Sequence, residues 1–228
     1  MTVFILSKKL SFPPPQFADH SGLLAVGGDL SPDRLLNAYQ KGIFPWFSEG
    51  EPILWWSPDP RLVLYPNEFH ISKSLKKILN KNLFKITMDM AFKDVICACA
   101  DLKRKKQRGT WITDEMISAY CRLHDMGFAH SVEAWENNLL VGGLYGVSLG
   151  GAFFGESMFT HVSNASKVAF VILVEFLKKY SFDIIDCQIK TKHLTSFGAR
   201  EIPRKIFLSE LEISLNKTTR LGTWKDFL

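Results

Sequence analysis

The sequence predicts an α+β fold, with a small N-terminal α+β domain followed by a larger one. Three observations carry this. The first ~60 residues are rich in Pro and Gly and break into short segments around one well-marked helix. Apolar and polar residues alternate over 130–135, Asn137-Asn138 offers a turn, and 139–147 and 151–159 follow as further strands of a meander. Helical periods stand in groups before and after that stretch, so strands and helices come in runs, the α+β pattern.

Taken in order, Phe12-Pro13-Pro14-Pro15 is extended or turning, because Pro fixes φ and restricts the residue before it. A helix follows: Ser31 is a good N-cap, Pro32 suits the first helical position and Asp33 complements the dipole. Leu35, Leu36 and Tyr39 form its apolar face, and Gly42 is a natural stop. The aromatic segment Ile43-Phe44-Pro45-Trp46-Phe47 comes next. Short strands are expected over 53–56 and 61–65. Between them Ser57-Pro58-Asp59-Pro60 marks a boundary, with residues 1–62 forming the small domain and 63–228 the large one.

In the larger part, 72–79 reads as a short helix exposing Lys73, Lys76 and Lys77, with Lys81 just beyond. A strand is expected over 83–89 and a helix over 91–102. Thr113 caps a further helix to 126, closed by Gly127 and begun by Asp114 and Glu115. The spans 130–135, 139–147 and 151–159 form a meander, with Asn137-Asn138 as its first turn. A long amphipathic helix over 163–179, a buried strand over 183–189, a short helix over 191–197 stopped by Gly198, and a last strand over 201–208 complete the chain. The order meander, long helix, strand, short helix, strand resembles the acetyltransferase-like fold called GNAT.

Composition bounds the function. The chain has 228 residues and a hydrophobic fraction of 46%, ordinary for a globular protein. No apolar run approaches the ~18 residues of a membrane span, and the N-terminus lacks the pattern of a signal peptide. A cytoplasmic protein is expected. Cys97, Cys99, Cys121 and Cys187 form no disulfide framework, and no second pair completes a zinc set, so small buried thiols are expected and no metal. The net charge is +5, unevenly spread: Lys103-Arg104-Lys105-Lys106-Gln107-Arg108 is either a solvated loop or a phosphate-binding patch.

Several motifs compete for the chemistry. Gly146-Val147-Ser148-Leu149-Gly150 matches the nucleophile elbow of hydrolases, and Asp186 and His193 follow in the right order. An elbow needs a helix after the Ser, whereas the following residues read as a strand, so a hairpin turn is expected. Glycines 142, 143, 146, 150, 151 and 155 fit either a β-bulge or a place where a ligand or a second backbone comes close. Glu156 and Asp186 sit in strongly apolar strands, where a carboxylate needs a partner. By strand alternation Asp186 and Gln188 share one face, putting an acid and an amide on one wall. That wall is structural or catalytic.

Six segments, in order, resemble the leucyl/phenylalanyl-tRNA–protein transferases of bacteria. They are Gly22-Leu23-Leu24-Ala25-Val26-Gly27-Gly28-Asp29-Leu30, Tyr39-Gln40-Lys41-Gly42-Ile43-Phe44-Pro45-Trp46-Phe47 and Leu54-Trp55-Trp56-Ser57-Pro58-Asp59-Pro60-Arg61, then Gly109-Thr110-Trp111-Ile112-Thr113, Gly155-Glu156-Ser157-Met158-Phe159 and Asp186-Cys187-Gln188. The resemblance implies a small N-terminal domain joined to a GNAT-like one. It implies transfer of Leu or Phe, and less readily Met, from its tRNA to proteins beginning with Arg or Lys, marking them for degradation, with no metal or nucleotide cofactor.

The resemblance also implies roles. Trp46 and Trp111 would stack on the terminal adenosine of the tRNA, beside Phe153. Leu144, Met158, Leu173, Leu177 and Ile185 would line the pocket for the Leu or Phe side chain, with Glu156 at its edge. Asp186 and Gln188 would hold the reacting groups, with Asp186 either anchoring Gln188 or acting as a general base. Lys73, Lys77 and Lys81 would bind the acceptor stem, and Lys103, Arg104, Lys105 and Lys106 offer an extra phosphate contact. A monomer is expected. Two rivals are a CoA-dependent N-acetyltransferase, disfavoured because no glycine loop cradles a pyrophosphate, and a tRNA-binding module without catalysis, disfavoured by the retained Glu156, Asp186 and Gln188.

Overall fold

The computed structural model describes residues 3–101 and 112–227. Two mixed sheets organise them. The first joins β1 (Phe4–Leu6), β2 (Leu23–Gly27), β3 (Phe44–Pro45) and β4 (Leu54–Trp56) in the order β1-β2-β4-β3. Helix α1 (Pro32–Gln40) connects β2 to β3. Ser31 holds the N-cap position without a capping side-chain bond; its own N–H is tied to Asp29 Oδ1 at 2.9 Å. Gly42 ends the helix at φ +66°, and a Cβ there would lie 2.7 Å from both Phe207 and Leu208. The stop is therefore set by backbone freedom and by close packing together.

The second sheet has seven strands in the order β11-β5-β10-β9-β8-β7-β6. They are β5 (Arg61–Leu64), β6 (Lys85–Met88), β7 (Ala129–Glu136), β8 (Leu139–Leu149), β9 (Ala152–Thr160), β10 (Ile184–Gln188) and β11 (Arg200–Ile202). All pairs are antiparallel except β9 with β10. A parallel pair needs a crossover, which α5 (Ala165–Lys179) provides. Helices α2 (Lys73–Leu79), α3 (Phe92–Ala100) and α4 (Asp114–Asp125) precede the meander, and α6 (Lys192–Thr195) follows β10. The threonine cap expected for α4 is present: Thr113 Oγ1 accepts from Met116 N–H at 3.3 Å.

One expectation changes. The last strand, expected over 201–208, stops at Ile202, and α7 (Arg204–Leu215) begins beyond Pro203. Pro203 ends the strand and sits at the helix N-cap, where its missing N–H costs nothing. Strand β5 straddles the expected boundary at 62 and lies deep in the large sheet, between β11 and β10. One buried apolar cluster runs from Leu24, Tyr39 and Trp55 through Phe154, Ile184 and Phe207, so the two sheets share a core.

Candidate functional site

A cavity of about 360 Å³ opens between the β3 segment, strands β8, β9 and β10, α5 and α6. Its walls are mostly apolar: Leu144, Phe153, Met158, Phe170, Leu173 and Ile185. Its polar end carries Glu156 and Gln188, with Thr191 and His193 nearby. Trp46 lines it from the N-terminal segment, beside Phe44 and Pro45. The Trp46 ring lies 5.7 Å from that of Trp56, whose Nε1 donates to the Trp46 carbonyl at 2.7 Å. That bond and the bond from Trp46 N–H to the Leu54 carbonyl fix the turn that presents the indole.

Glu156 and Gln188 both reach the cavity because both strands break their alternation. Opposite β8 the register passes from Tyr145–Ser157 to Gly146–Gly155, leaving Glu156 as the extra residue of a bulge. Gly146 permits it: a Cβ there would stand 2.2 Å from the Phe154 carbonyl oxygen and 2.6 Å from the Phe153 ring. The glycine cluster thus serves a bulge and a close backbone approach at once. The second break lies between Asp186 and Gln188, where the pairing with β5 slips and Gln188 takes φ +61°.

This slip overturns the expected shared wall. Asp186 does not line the cavity; it is fully buried. Arg61 binds it through two bonds, Nε to Oδ1 at 2.8 Å and Nη2 to Oδ2 at 2.6 Å. The guanidinium is held between the rings of Phe44 and Phe207, each 4.7 Å away. Asp186 Oδ1 also accepts the backbone N–H of Gln188 at 2.9 Å. Asp186 therefore anchors the Gln188 backbone, not its amide, and both its oxygens are occupied away from the cavity.

The Gln188 amide is held by Glu156: Nε2 donates to Oε1 at 2.8 Å. Two phenols converge on the same carboxyl, Tyr39 on Oε1 at 2.8 Å and Tyr120 on Oε2 at 3.0 Å. The two hydroxyls also contact each other. Burial pushes the Glu156 carboxyl up to about 7, against the opposing pull of donors from Tyr39, Tyr120 and Gln188, with the Asp186 charge adding to the rise. Burial likewise holds both phenols well above their ordinary range. His193 is lowered, first by burial and then by Lys167, which favours a neutral imidazole beside the cavity. Its Nε2 is buried without a hydrogen-bond partner among the described residues.

Of the expected pocket residues, Leu144, Met158, Leu173 and Ile185 line the cavity; Leu177 is buried in the core beyond it. Lys73, Lys77 and Lys81 are exposed on or just after α2. Trp111 and the run Lys103, Arg104, Lys105 and Lys106 lie outside the described residues. The reading of residue types alone missed Arg61, Tyr39, Tyr120, Phe170 and Thr191 as parts of the site. Tyr39 is separated by 117 residues from the carboxyl it binds, a pairing that no local pattern announces.

The hydrolase elbow is absent here. Ser148 lies inside β8, fully buried, and Gly150 and Gly151 form a hairpin turn after it, so no helix follows. Asp186 is committed to Arg61. Among the described residues no cluster of three or more His, Cys, Asp or Glu side chains could hold a metal ion, and no helix is long and apolar enough to cross a membrane. All four cysteines are free and at least half-buried, and burial pushes the Cys187 thiol up.

An apolar pocket ending in an amide–carboxyl pair, walled by a bulged mixed sheet, defines a site for a ligand with one apolar arm and one polar head. Comparison with known proteins makes the class definite. Residues 63–212 match the family model described as leucyl/phenylalanyl-tRNA protein transferase, and residues 28–59 match the model of that family's N-terminal domain. The leucyl/phenylalanyl-tRNA–protein transferase of Desulfatibacillum aliphaticivorans is 61% identical over 98% of this chain and 96% of its own. That of Desulforapulum autotrophicum is 58% identical over 98% of both chains, and that of Flavobacterium johnsoniae 57% identical over 92% of this chain and 99% of its own. The chain belongs to this family of aminoacyltransferases. Among solved structures, L-PGS from Bacillus licheniformis superposes with a TM-score of 0.42 at 11% identity over 76% of this chain and 57% of that one, too distant a likeness to bear on the site.

Proposed function

We propose that this protein transfers Leu or Phe, and less readily Met, from its tRNA to the N-terminal Arg or Lys of acceptor proteins, marking them for degradation in the cytoplasm. The protein acts as a monomer, with residues 1–62 as a small domain that contributes Trp46 and 63–228 as a GNAT-like catalytic domain. The observation that carries the reading is the cavity itself. Its apolar walls suit an uncharged Leu or Phe side chain, and Glu156 and Gln188 form a polar end suited to the reacting groups. Differences of a methylene in such a pocket are worth only ~1–3 kcal/mol, which fits a class of related side chains over a single one.

In this reading Trp46, with Trp111 and Phe153, holds the terminal adenosine by stacking, an interaction worth ~1–3 kcal/mol per base. Lys73, Lys77 and Lys81, with the basic run 103–106, contact phosphates. The reaction is ester aminolysis: the acceptor's α-amine forms the new C–N bond, the C–O bond to the ribose breaks, and the ribose oxygen takes a proton as the nitrogen loses one. The ester is already activated, so no cofactor is needed. An α-amine with a pKa of ~7.7–8.0 is neutral in roughly a tenth of molecules at pH 7, so a strong base is not required. Orientation can supply up to ~7–11 kcal/mol. Gln188 and Glu156 orient the reacting groups, and Asp186 acts behind them as an anchor.

The test is to incubate the protein with radiolabelled leucyl-tRNA and a peptide beginning with Arg. Label on the peptide is expected. Its absence, or equal labelling of a peptide beginning with Asp, would remove the reading.

A further inference from the structure

We propose that Glu156 rests as a neutral acid, closed with Tyr39 and Tyr120 into a ring of three hydrogen bonds, and that this ring keeps the attacking amine in its nucleophilic form. The second half rests on the transfer reaction proposed above. Tyr39 and Tyr120 are then positioning residues for that reaction.

Three oxygen–oxygen contacts link the groups: Tyr39 with Oε1 at 2.8 Å, Tyr120 with Oε2 at 3.0 Å, and Tyr39 with Tyr120. Each contact needs one proton between its oxygens. Two phenols and a carboxylate hold two protons; two phenols and a carboxylic acid hold three. Only the acid fills every contact, in a one-way cycle. The acid proton on Oε2 goes to the Tyr120 oxygen, Tyr120 donates to the Tyr39 oxygen, and Tyr39 donates to Oε1. Gln188 Nε2 also donates to Oε1, which suits the carbonyl oxygen of the acid and assigns its proton to Oε2. On ionisation both phenols turn to the carboxylate, and their own oxygens face each other with no proton between them.

The groups around the carboxyl agree. Helix α1 presents Tyr39, α4 presents Tyr120, and β10 presents Gln188 and Asp186, whose negative charge opposes ionisation of Glu156. The charge of Arg61, from β5, is bonded to Asp186. From β8, Tyr145 packs edge-on against Tyr120 at 5.6 Å. His193, on the cavity side, is lowered toward the neutral form. A carboxylate facing the cavity would hold a nearby amine as ammonium, which cannot attack; a neutral acid would not.

The variants Tyr39→Phe and Tyr120→Phe separate this ring from ordinary hydrogen bonding. If the phenols act simply as donors to a carboxylate, removing one raises the Glu156 pKa. If they close the ring, removing one leaves a single phenol–carboxyl contact, which the anion fills by itself, and the pKa falls. Glu156 is followed by NMR in protein carrying ¹³C-carboxyl glutamate, with its signal assigned by its loss in Glu156→Gln.

In the wild type a midpoint near neutrality is expected; a midpoint in the ordinary carboxylate range overturns the proposal. In each Phe variant the midpoint falls by about one unit or more; one that rises or stays put overturns it. Should one variant not fold, the other decides. Transfer from leucyl-tRNA at pH 7 falls about fivefold, the drop in the acid fraction when the midpoint moves one unit down from about 7. A lowered midpoint with unchanged transfer overturns the role toward the amine. Wild-type protein that titrates as expected but makes no labelled peptide overturns the functional reading and leaves the ring standing.

Discussion

Two carboxyls sit on neighbouring strands, and the molecule treats them in opposite ways. Asp186 on β10 is sealed from the cavity and answered by a cation, the Arg61 guanidinium, held between two aromatic faces. Glu156 on β9 borders the cavity and is answered only by neutral groups, two phenols and an amide. A buried carboxylate with a cation stays charged; one with neutral partners is pushed toward its acid form. The family resemblance groups both carboxyls with the chemistry, but their surroundings assign one to architecture and the other to the site. Gln188 joins them, its backbone tied to Asp186 and its amide to Glu156.

The largest effect expected from this contrast lies at Arg61. Arg61→Met leaves Asp186 buried without its cation, a defect that costs about 3–5 kcal/mol. Urea unfolding should register most of that loss. Adding Asp186→Leu should restore much of it, since removing both charges also removes the unpaired one. A single variant as stable as the wild type would show that Asp186 is not held as a carboxylate.

The next effect concerns pH. The folded pKa of Glu156 is raised to about 7 from 4.5. The folded protein therefore binds its proton more tightly than the unfolded chain does. The resulting stability is complete below pH 4.5 and is lost as pH rises toward 7. The whole change is on the order of 3 kcal/mol. Glu156→Gln cannot titrate and should lack this part of the decline when thermal midpoints are compared across that range. Identical pH profiles for the two proteins would place Glu156 in the ordinary carboxylate class.

A smaller effect is expected at the joint. Gln188→Ala keeps the backbone N–H that Asp186 accepts and removes only the amide that Glu156 accepts. Stability should change by about 1 kcal/mol, the usual net worth of one hydrogen bond. Transfer should fall roughly tenfold to a hundredfold, about 1.4–2.7 kcal/mol of orientation. Equal losses in stability and transfer would return Gln188 to the architecture, beside Asp186.

These pairs also show how far the sequence could be read. Elements with local chemistry were legible: Thr113 as the cap of α4, Gly42 as the stop of α1, the Asn137-Asn138 turn, and the apolar residues Leu144, Met158, Leu173 and Ile185 that meet in one cavity. Two kinds of feature were not. Strand alternation assigned Asp186 and Gln188 to one face, because a bulge leaves no mark in a five-residue strand. Long-range partners were also hidden: Arg61 lies 125 residues from Asp186, and Tyr39 had an adequate explanation as an apolar helix face. The expected strand over 201–208 runs into what is helix α7, whose start is set by Pro203 at the N-cap.

Ser148 should give the smallest effect, and it tests the contrast from the other side. It is fully buried, and its Oγ has no hydrogen-bond partner among the described residues. Burying a hydroxyl without a partner is unfavourable, so deleting it removes a cost as well as a little packing. The two nearly cancel: Ser148→Ala should alter stability by no more than about 0.5 kcal/mol and leave transfer at the wild-type rate. Asp186 and Glu156 differ from Ser148 in having partners, and partnership is what makes a buried polar group costly to change. If Ser148→Ala folds normally and transfers nothing, that rule fails at this position, and the serine near the end of β8 belongs to the chemistry after all.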